Sequence, residues 1–220
     1  MSLLHIDSIT KTYGEKRILQ DIYIRSETGN VTGILGRNGS GKSTLLNIIS
    51  GQEKGDTGFI RMDDHVIRNQ RDRAGRIAYL PQHSFLPKRI KIKKLITLFC
   101  GRKNIERLSA SGLIQPILNE VPGNLSAGEK RIAEALLILY SDFRFILLDE
   151  PFSGLSPKVT SELQQIIKEQ SGQKGIIISD HHFQEVWDVS DHVYLMSGGS
   201  LKPVRDFSEL HKNKYLPESI

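Results

Sequence analysis

Gly36-Arg37-Asn38-Gly39-Ser40-Gly41-Lys42-Ser43, with Thr44 next, decides the fold of this chain. A glycine, four intervening residues and then Gly-Lys-Ser is the spacing of a loop that wraps phosphate. Its flanks suit that reading. Val31–Leu35 upstream is an apolar run of strand length, and Lys42–Ser50 downstream has helical character. In such a strand–loop–helix unit successive backbone N–H groups converge on phosphate oxygens, helped by the helix dipole. Glycines admit the close approach. Lys42 would neutralise the outer phosphates, and the Ser43 hydroxyl would ligate Mg²⁺.

The same alternation runs along the rest of the chain. Ile77–Leu80, Phe145–Leu148, Ile176–Ser179 and Val193–Met196 read as buried parallel strands. Helices are expected over Pro157–Gln170 and His182–Val189, the first with proline where a helix start tolerates it. The expected fold is therefore α/β, a mostly parallel sheet covered on both faces. Two regions depart from it. Leu3–Arg25 with Phe59–Val66 predicts an antiparallel layer near the N-terminus. Lys91–Leu118 has helical periodicity broken at Gly101, Gly112 and Pro116. A compact helical insertion is accordingly placed at about 84–140, inside a single domain 1–220 whose core is 1–83 and 141–220.

Composition narrows the field. In 220 residues, 38% are hydrophobic, enough for a core, so global disorder is excluded. Ala135–Tyr140 is the longest uninterrupted apolar stretch, far below the ~20 residues of a bilayer span. Met1–Ile9 lacks the pattern of a signal peptide. The single cysteine, Cys100, excludes an internal disulfide. A soluble, cytoplasmic protein is the expectation. The net charge of +5 suits an anionic ligand or surface but equally an ordinary solvated one.

Phe145-Ile146-Leu147-Leu148-Asp149-Glu150 is an apolar strand ending in two carboxylates. At a strand's carboxyl end both can reach the crevice where α/β sheets bind ligands. Asp149 has the position expected to hold Mg²⁺, and Glu150 could take a proton from an attacking water.

With these, five further stretches resemble the ATP-binding subunit of ABC transporters. Leu125-Ser126-Ala127-Gly128-Glu129 is similar to that family's Leu-Ser-Gly-Gly-Gln signature, with Ala127 and Glu129 as departures. On its own the segment also reads as an N-terminal capping box, Ser126 with Glu129. Gln82 resembles the family's Q-loop glutamine, which joins Mg²⁺ coordination. Tyr13 resembles the aromatic that stacks on adenine. His181, after Asp180, resembles the switch histidine that contacts the γ-phosphate, whereas His182 reads as a solvated helix-start residue. Ser153-Gly154-Leu155-Ser156 stands where the family has Ser-Ala-Leu-Asp, so Ser156 replaces the aspartate that helps couple the two sites of a dimer.

The resemblance implies a P-loop NTPase fold with an ABC-type ATPase core, an N-terminal antiparallel β layer and a small helical subdomain. It implies binding and hydrolysis of ATP with Mg²⁺, powering transport through separate membrane permease subunits from the cytoplasmic face of the membrane. It also implies a head-to-tail dimer, with the chain itself or a related subunit. In that dimer the loop Gly36–Thr44 of one subunit is closed over by the signature of the other. The site residues carried over are Tyr13, Gly36, Arg37, Asn38, Gly39, Ser40, Gly41, Lys42, Ser43, Thr44, Gln82, Asp149, Glu150, His181 and the signature Leu125, Ser126, Ala127, Gly128, Glu129. Ser43, Gln82 and Asp149 are the implied metal ligands. A soluble ATPase acting on ribosomes or nucleic acid is the competing reading, as is a slow switch with little turnover. Lys88-Arg89-Ile90-Lys91-Ile92-Lys93-Lys94 offers five positive charges to an acidic permease loop, lipid headgroups or nucleic acid. Equally, it is a solvated face whose isoleucines enter the core.

Overall fold

A computed structural model describes residues 1–100, 102–212 and 215. The chain opens with a long antiparallel pair, β1 (Leu3–Tyr13) and β2 (Lys16–Glu27), in which Ile6 faces Ile24 and Tyr13 faces Lys16. β3 (Val31–Leu35) follows, buried throughout, and leads through the loop at Gly36 into α1 (Lys42–Ser50). Gly51, at φ 79°, closes α1. β4 (Thr57–Met62) and β5 (His65–Val66) return to the first sheet, whose order is β2-β1-β4-β5.

The short α2 (Gln70–Arg73) and β6 (Ile77–Leu80) precede the helical region, α3 (Ile92–Phe99), α4 (Arg102–Ser109) and α5 (Ala127–Leu139). Between α4 and α5, Gln115–Ile117 and Pro122–Asn124 are single 3₁₀ turns, so Pro116 interrupts the helical run as expected. The break expected at Gly101 lies outside the described residues. β7 (Phe145–Asp149), α6 (Pro157–Ser171), β8 (Gly175–Ser179), α7 (Phe183–Val189) and β9 (His192–Ser197) complete the alternation. β10 (Ser200–Val204) and α8 (Phe207–Lys212) follow.

The second sheet has the order β10-β9-β3-β8-β7-β6. It is parallel except at its edge, where β10 runs antiparallel to β9. Side chains alternate across it. Ile34, Leu147 and Ile177 point into one core with Leu45, Leu46 and Ile49 of α1 and the inner face of the antiparallel sheet. Leu35, Ile146, Leu148, Ile176 and Ile178 point into the other, beneath α5, α6 and α7. α1 is thus held between the two sheets, which fixes the loop at its start. Among the described residues no helix is long and apolar enough to cross a membrane.

The strands and helices expected from the sequence stand where they were placed, with ends moved by a residue or two. The sequence pattern predicts neither α2 nor β10. In the basic stretch, Ile92 is buried and Ile90 half-buried, while Lys88, Arg89, Lys91, Lys93 and Lys94 are exposed.

Candidate functional site

β3, β8, β7 and β6 lie side by side with their carboxyl ends together. The segments that leave those ends are the loop Gly36–Gly41, Asp180–His181, Glu150 and Gln82. Residues far apart in sequence therefore meet at one edge, where open α/β sheets bind ligands. They surround a cavity of about 390 Å³ lined by Tyr13, Ile18, Asn38, Gly39, Ser40, Gly41, Lys42, Ser43, Thr44, Gln82, Glu150 and His181.

The loop Gly36–Gly41 is built by its glycines. Gly39 and Gly41 sit at φ 76° and 110°, where side chains other than hydrogen are strained. A Cβ on Gly36 would stand 2.6 Å from Ser40 Oγ and 2.9 Å from the carbonyl of Met196. Nζ of Lys42 donates to the carbonyls of Gly36 (2.7 Å) and Arg37 (3.3 Å). Burial lowers its pKa, opposed by the charges of Glu150, Asp149 and Asp180. An anion fits here. No side chain caps the N-terminus of α1, and Ser40 Oγ is buried without a partner among the described residues. The first N–H groups of α1 have no acceptor within the helix.

Glu150 follows β7 in a left-handed conformation, φ 53°, and its N–H donates to the carbonyl of Ser179 at 2.7 Å. That turn swings its carboxylate into the cavity. Nε2 of Gln82 donates to Oε2 of Glu150 at 3.0 Å. Nδ1 of His181 is 3.6 Å from Oε1 of the same group and 3.2 Å from Oδ1 of Asp180. Asp180 is fully buried, and burial raises its pKa. Opposing this, the backbone N–H groups of His182 and Phe152 donate to its carboxylate. His182 is exposed at the start of α7, its ring 4.2 Å from that of His181. Tyr13 is 48% exposed at the rim, its hydroxyl bonded to Glu53, which also pairs with Lys11 at 3.0 Å.

Several expected site residues lie elsewhere. Asp149 lies under the cavity, not on its wall, accepting from Ser179 Oγ at 2.6 Å and Tyr79 OH at 3.2 Å. Gly36 is buried beneath the loop. Arg37 does not line the cavity but borders a neighbouring hollow with Met196 and Tyr215, which shares Asn38, Gly39 and Ser40 with the first. The signature is farther off. Gly128 and Glu129 border a different, apolar groove of about 320 Å³ with Gly154, Leu155 and Ser156. The capping box is formed. Ser126 Oγ accepts from Glu129 N at 3.2 Å, and Glu129 Oε2 accepts from Ser126 N at 2.9 Å. Ser156 caps α6, accepting from Val159 N at 3.5 Å.

Two charged residues of α5 escaped the sequence reading. Arg131 and Glu134 are buried against the loops that carry Gln82 and Glu150. Only Glu134 left a signal, since it alone interrupts the otherwise apolar, buried run from Ile132 to Leu139; Arg131 follows Glu129 and Lys130 and extends a polar stretch.

Fold and loop together define a P-loop nucleotide-binding protein. The profile of the ABC transporter family matches residues 19–153. The lipopolysaccharide export system ATP-binding protein LptB of Escherichia coli (strain K12) is 30% identical, over 100% of this chain and 99% of that one. LptB of Haemophilus influenzae is 30% identical over 91% and 89%. The sulfate/thiosulfate import ATP-binding protein CysA of Synechococcus elongatus is 25% identical over 97% and 65%. Among solved structures, an ATP-binding subunit of an ABC transporter superposes with a TM-score of 0.82 at 21% identity, covering 99% and 95% of the two chains. A bacterial ABC transporter cassette solved as a dimer gives 0.77 at 22%, covering 93% and 100%. The chain belongs to the ABC transporter family, and it is an ATP-binding, ATP-hydrolysing member of it.

Proposed function

We propose that this chain powers transport through separate permease subunits, from the cytoplasmic face of the membrane, as an ATP-sandwich dimer. It is one cassette, with 1–83 and 141–220 as core and about 84–140 as the helical part. Residues Gly36 to Thr44 hold the phosphates, Lys42 carrying the compensating charge. Tyr13 supports adenine. Ser43, Gln82 and Asp149 would hold Mg²⁺, which would supply charge neutralisation at the phosphates. Asp149 would reach it from beneath the cavity, where it accepts hydrogen bonds from Ser179 and Tyr79. Glu150 accepts the proton of the attacking water, and His181 donates toward the γ-phosphate.

One observation carries the dimer: Ser126 to Glu129 lie outside the cavity that holds Lys42 and Glu150. A single chain has one half of each site and needs a second chain to close over its nucleotide. Hydrolysis then removes contacts that both chains share and lets them part, a two-state element able to drive a permease.

Turnover per chain, measured from nanomolar to micromolar protein, should rise with concentration. A constant rate would overturn the shared site. Pull-down of tagged Glu150→Gln protein with ATP from solubilised cells should recover an integral membrane protein. Ribosomal proteins or nucleic acid in its place would overturn the transport reading.

A further inference from the structure

We propose that Arg131 and Glu134 are positioning residues for ATP hydrolysis, holding the Gln82 loop and Glu150 against each other from the helix that starts after Ser126. The inference rests on the roles given above to Gln82 and Glu150.

Both side chains are charged and enclosed, Arg131 at 7% exposure and Glu134 at 1%. They stand one turn apart on α5, with Arg131 Nη1 3.6 Å from Glu134 Oε2. Enclosing such a pair is costly unless its other donors and acceptors are also satisfied. Here the two catalytic loops satisfy them. Nη1 of Arg131 donates to the carbonyl of Pro81 at 2.7 Å, Nε to that of Glu150 at 3.1 Å, and Nη2 to that of Asp149. Oε1 of Glu134 accepts from Ser84 Oγ and, at 3.2 Å, from Phe85 N.

The contacts bracket Gln82. Arg131 holds the residue before it, and Glu134 holds the second and third residues after it. Arg131 also grips the carbonyl of Glu150, whose left-handed backbone aims the carboxylate. The planar guanidinium suits three divergent carbonyls, whereas a lysine ammonium cannot span them in one geometry. α5 is one continuous helix, buried along most of its length. Arg131 is five residues beyond Ser126, roughly 7.5 Å along the axis. Pressure on the N-terminal turn of α5 therefore reaches the Gln82–Glu150 pair through one guanidinium and one carboxylate.

The test uses the full chain and the variants Ser84→Ala, Glu134→Gln and Arg131→Lys, read by kcat, KM for ATP and affinity for ATP. Arg131→Lys and Glu134→Gln should lower kcat by roughly 10- to 100-fold, as expected for a misplaced catalytic group. Ser84→Ala, which empties no core site and should melt with the wild type, should lower kcat by about 3- to 10-fold. In all three the affinity for ATP should stay within about twofold. A merely structural role would lower melting temperature and active fraction without separating kcat from KM. Unchanged kcat in Ser84→Ala and Arg131→Lys overturns the proposal, as does a loss of ATP affinity equal to the loss of kcat. A wild-type chain that turns over but is indifferent to Glu150→Gln overturns the underlying reading, and this one with it.

Discussion

Nε2 of Gln82 donates to Oε2 of Glu150 at 3.0 Å, across the gap between the loops that leave β6 and β7. That carboxylate oxygen is occupied. Oε1, 3.6 Å from Nδ1 of His181, is the one left for a water. In the role proposed for Glu150, a rotation of Gln82 would free the other oxygen as well.

Glu150→Gln keeps the shape of this arrangement and removes its basicity. ATP binding should persist while turnover falls by about 100-fold or more, measured as phosphate release against calorimetric affinity. Lys42→Ala should instead lose affinity for ATP, and unchanged binding would discredit the loop Gly36–Thr44 as the phosphate site.

Cys100 should be inert. Its thiol is buried, donates weakly to the carbonyl of Leu137 at 3.9 Å, and is pushed up to about 12 by burial. Reaction needs the thiolate. A thiol reagent at pH 8 should label the native chain far more slowly than the chain unfolded in guanidinium, and equal rates would contradict the enclosure.

Lys174 sets an alkaline trend. Burial lowers its pKa to about 8, while Nζ donates to the carbonyls of Leu139 and Ser141, the latter at 2.6 Å. Between about 8 and the ordinary lysine value the unfolded chain holds more protons than the native one. Stability owed to this group therefore rises with pH in that window and is flat below it. From pH 7.5 to 9.5 wild type should gain about 2 kcal/mol relative to Lys174→Met in denaturant unfolding. A difference that does not change with pH would remove the effect.

Gly33 lies in the middle of β3, against α7. A Cβ there would come within 2.4 Å of Ser190 Oγ and 2.7 Å of Val186 Cγ1. Gly33→Ala should cost roughly 1–3 kcal/mol by overpacking, read as a lower urea midpoint. Ser190→Gly in the same chain should recover part of it.

What was legible in the sequence was local. The loop before α1, the apolar strands and the paired carboxylates each occupy one contiguous stretch whose pattern states its structure. β10 was not, because Lys202 and Pro203 interrupt its pattern. Proline is tolerated there since β10 is an edge strand. α2 has four residues, too few for a period, and is held by the capping box of Asn69 and Asp72. Arg131 and Glu134 do not stand out in the sequence, because their partners, loop backbone groups and the Ser84 hydroxyl, lie 18 to 50 positions away. The pairing of Gln82 with Glu150 needed the strand order, which no single segment carries.

The turn at Ser126 already has an anion in residence. Glu129 Oε2 takes both the Ser126 N–H at 2.9 Å and the Ser126 hydroxyl at 2.7 Å. These interactions hold the Glu129 pKa below the usual carboxylate range. In the proposed dimer, a phosphate brought to the same donors by a second chain would meet a rival of its own sign and have to evict it. Closure would then be a displacement, one negative group leaving as another arrives, with the hold of Ser126 on Glu129 setting how strongly the incoming one has to bind.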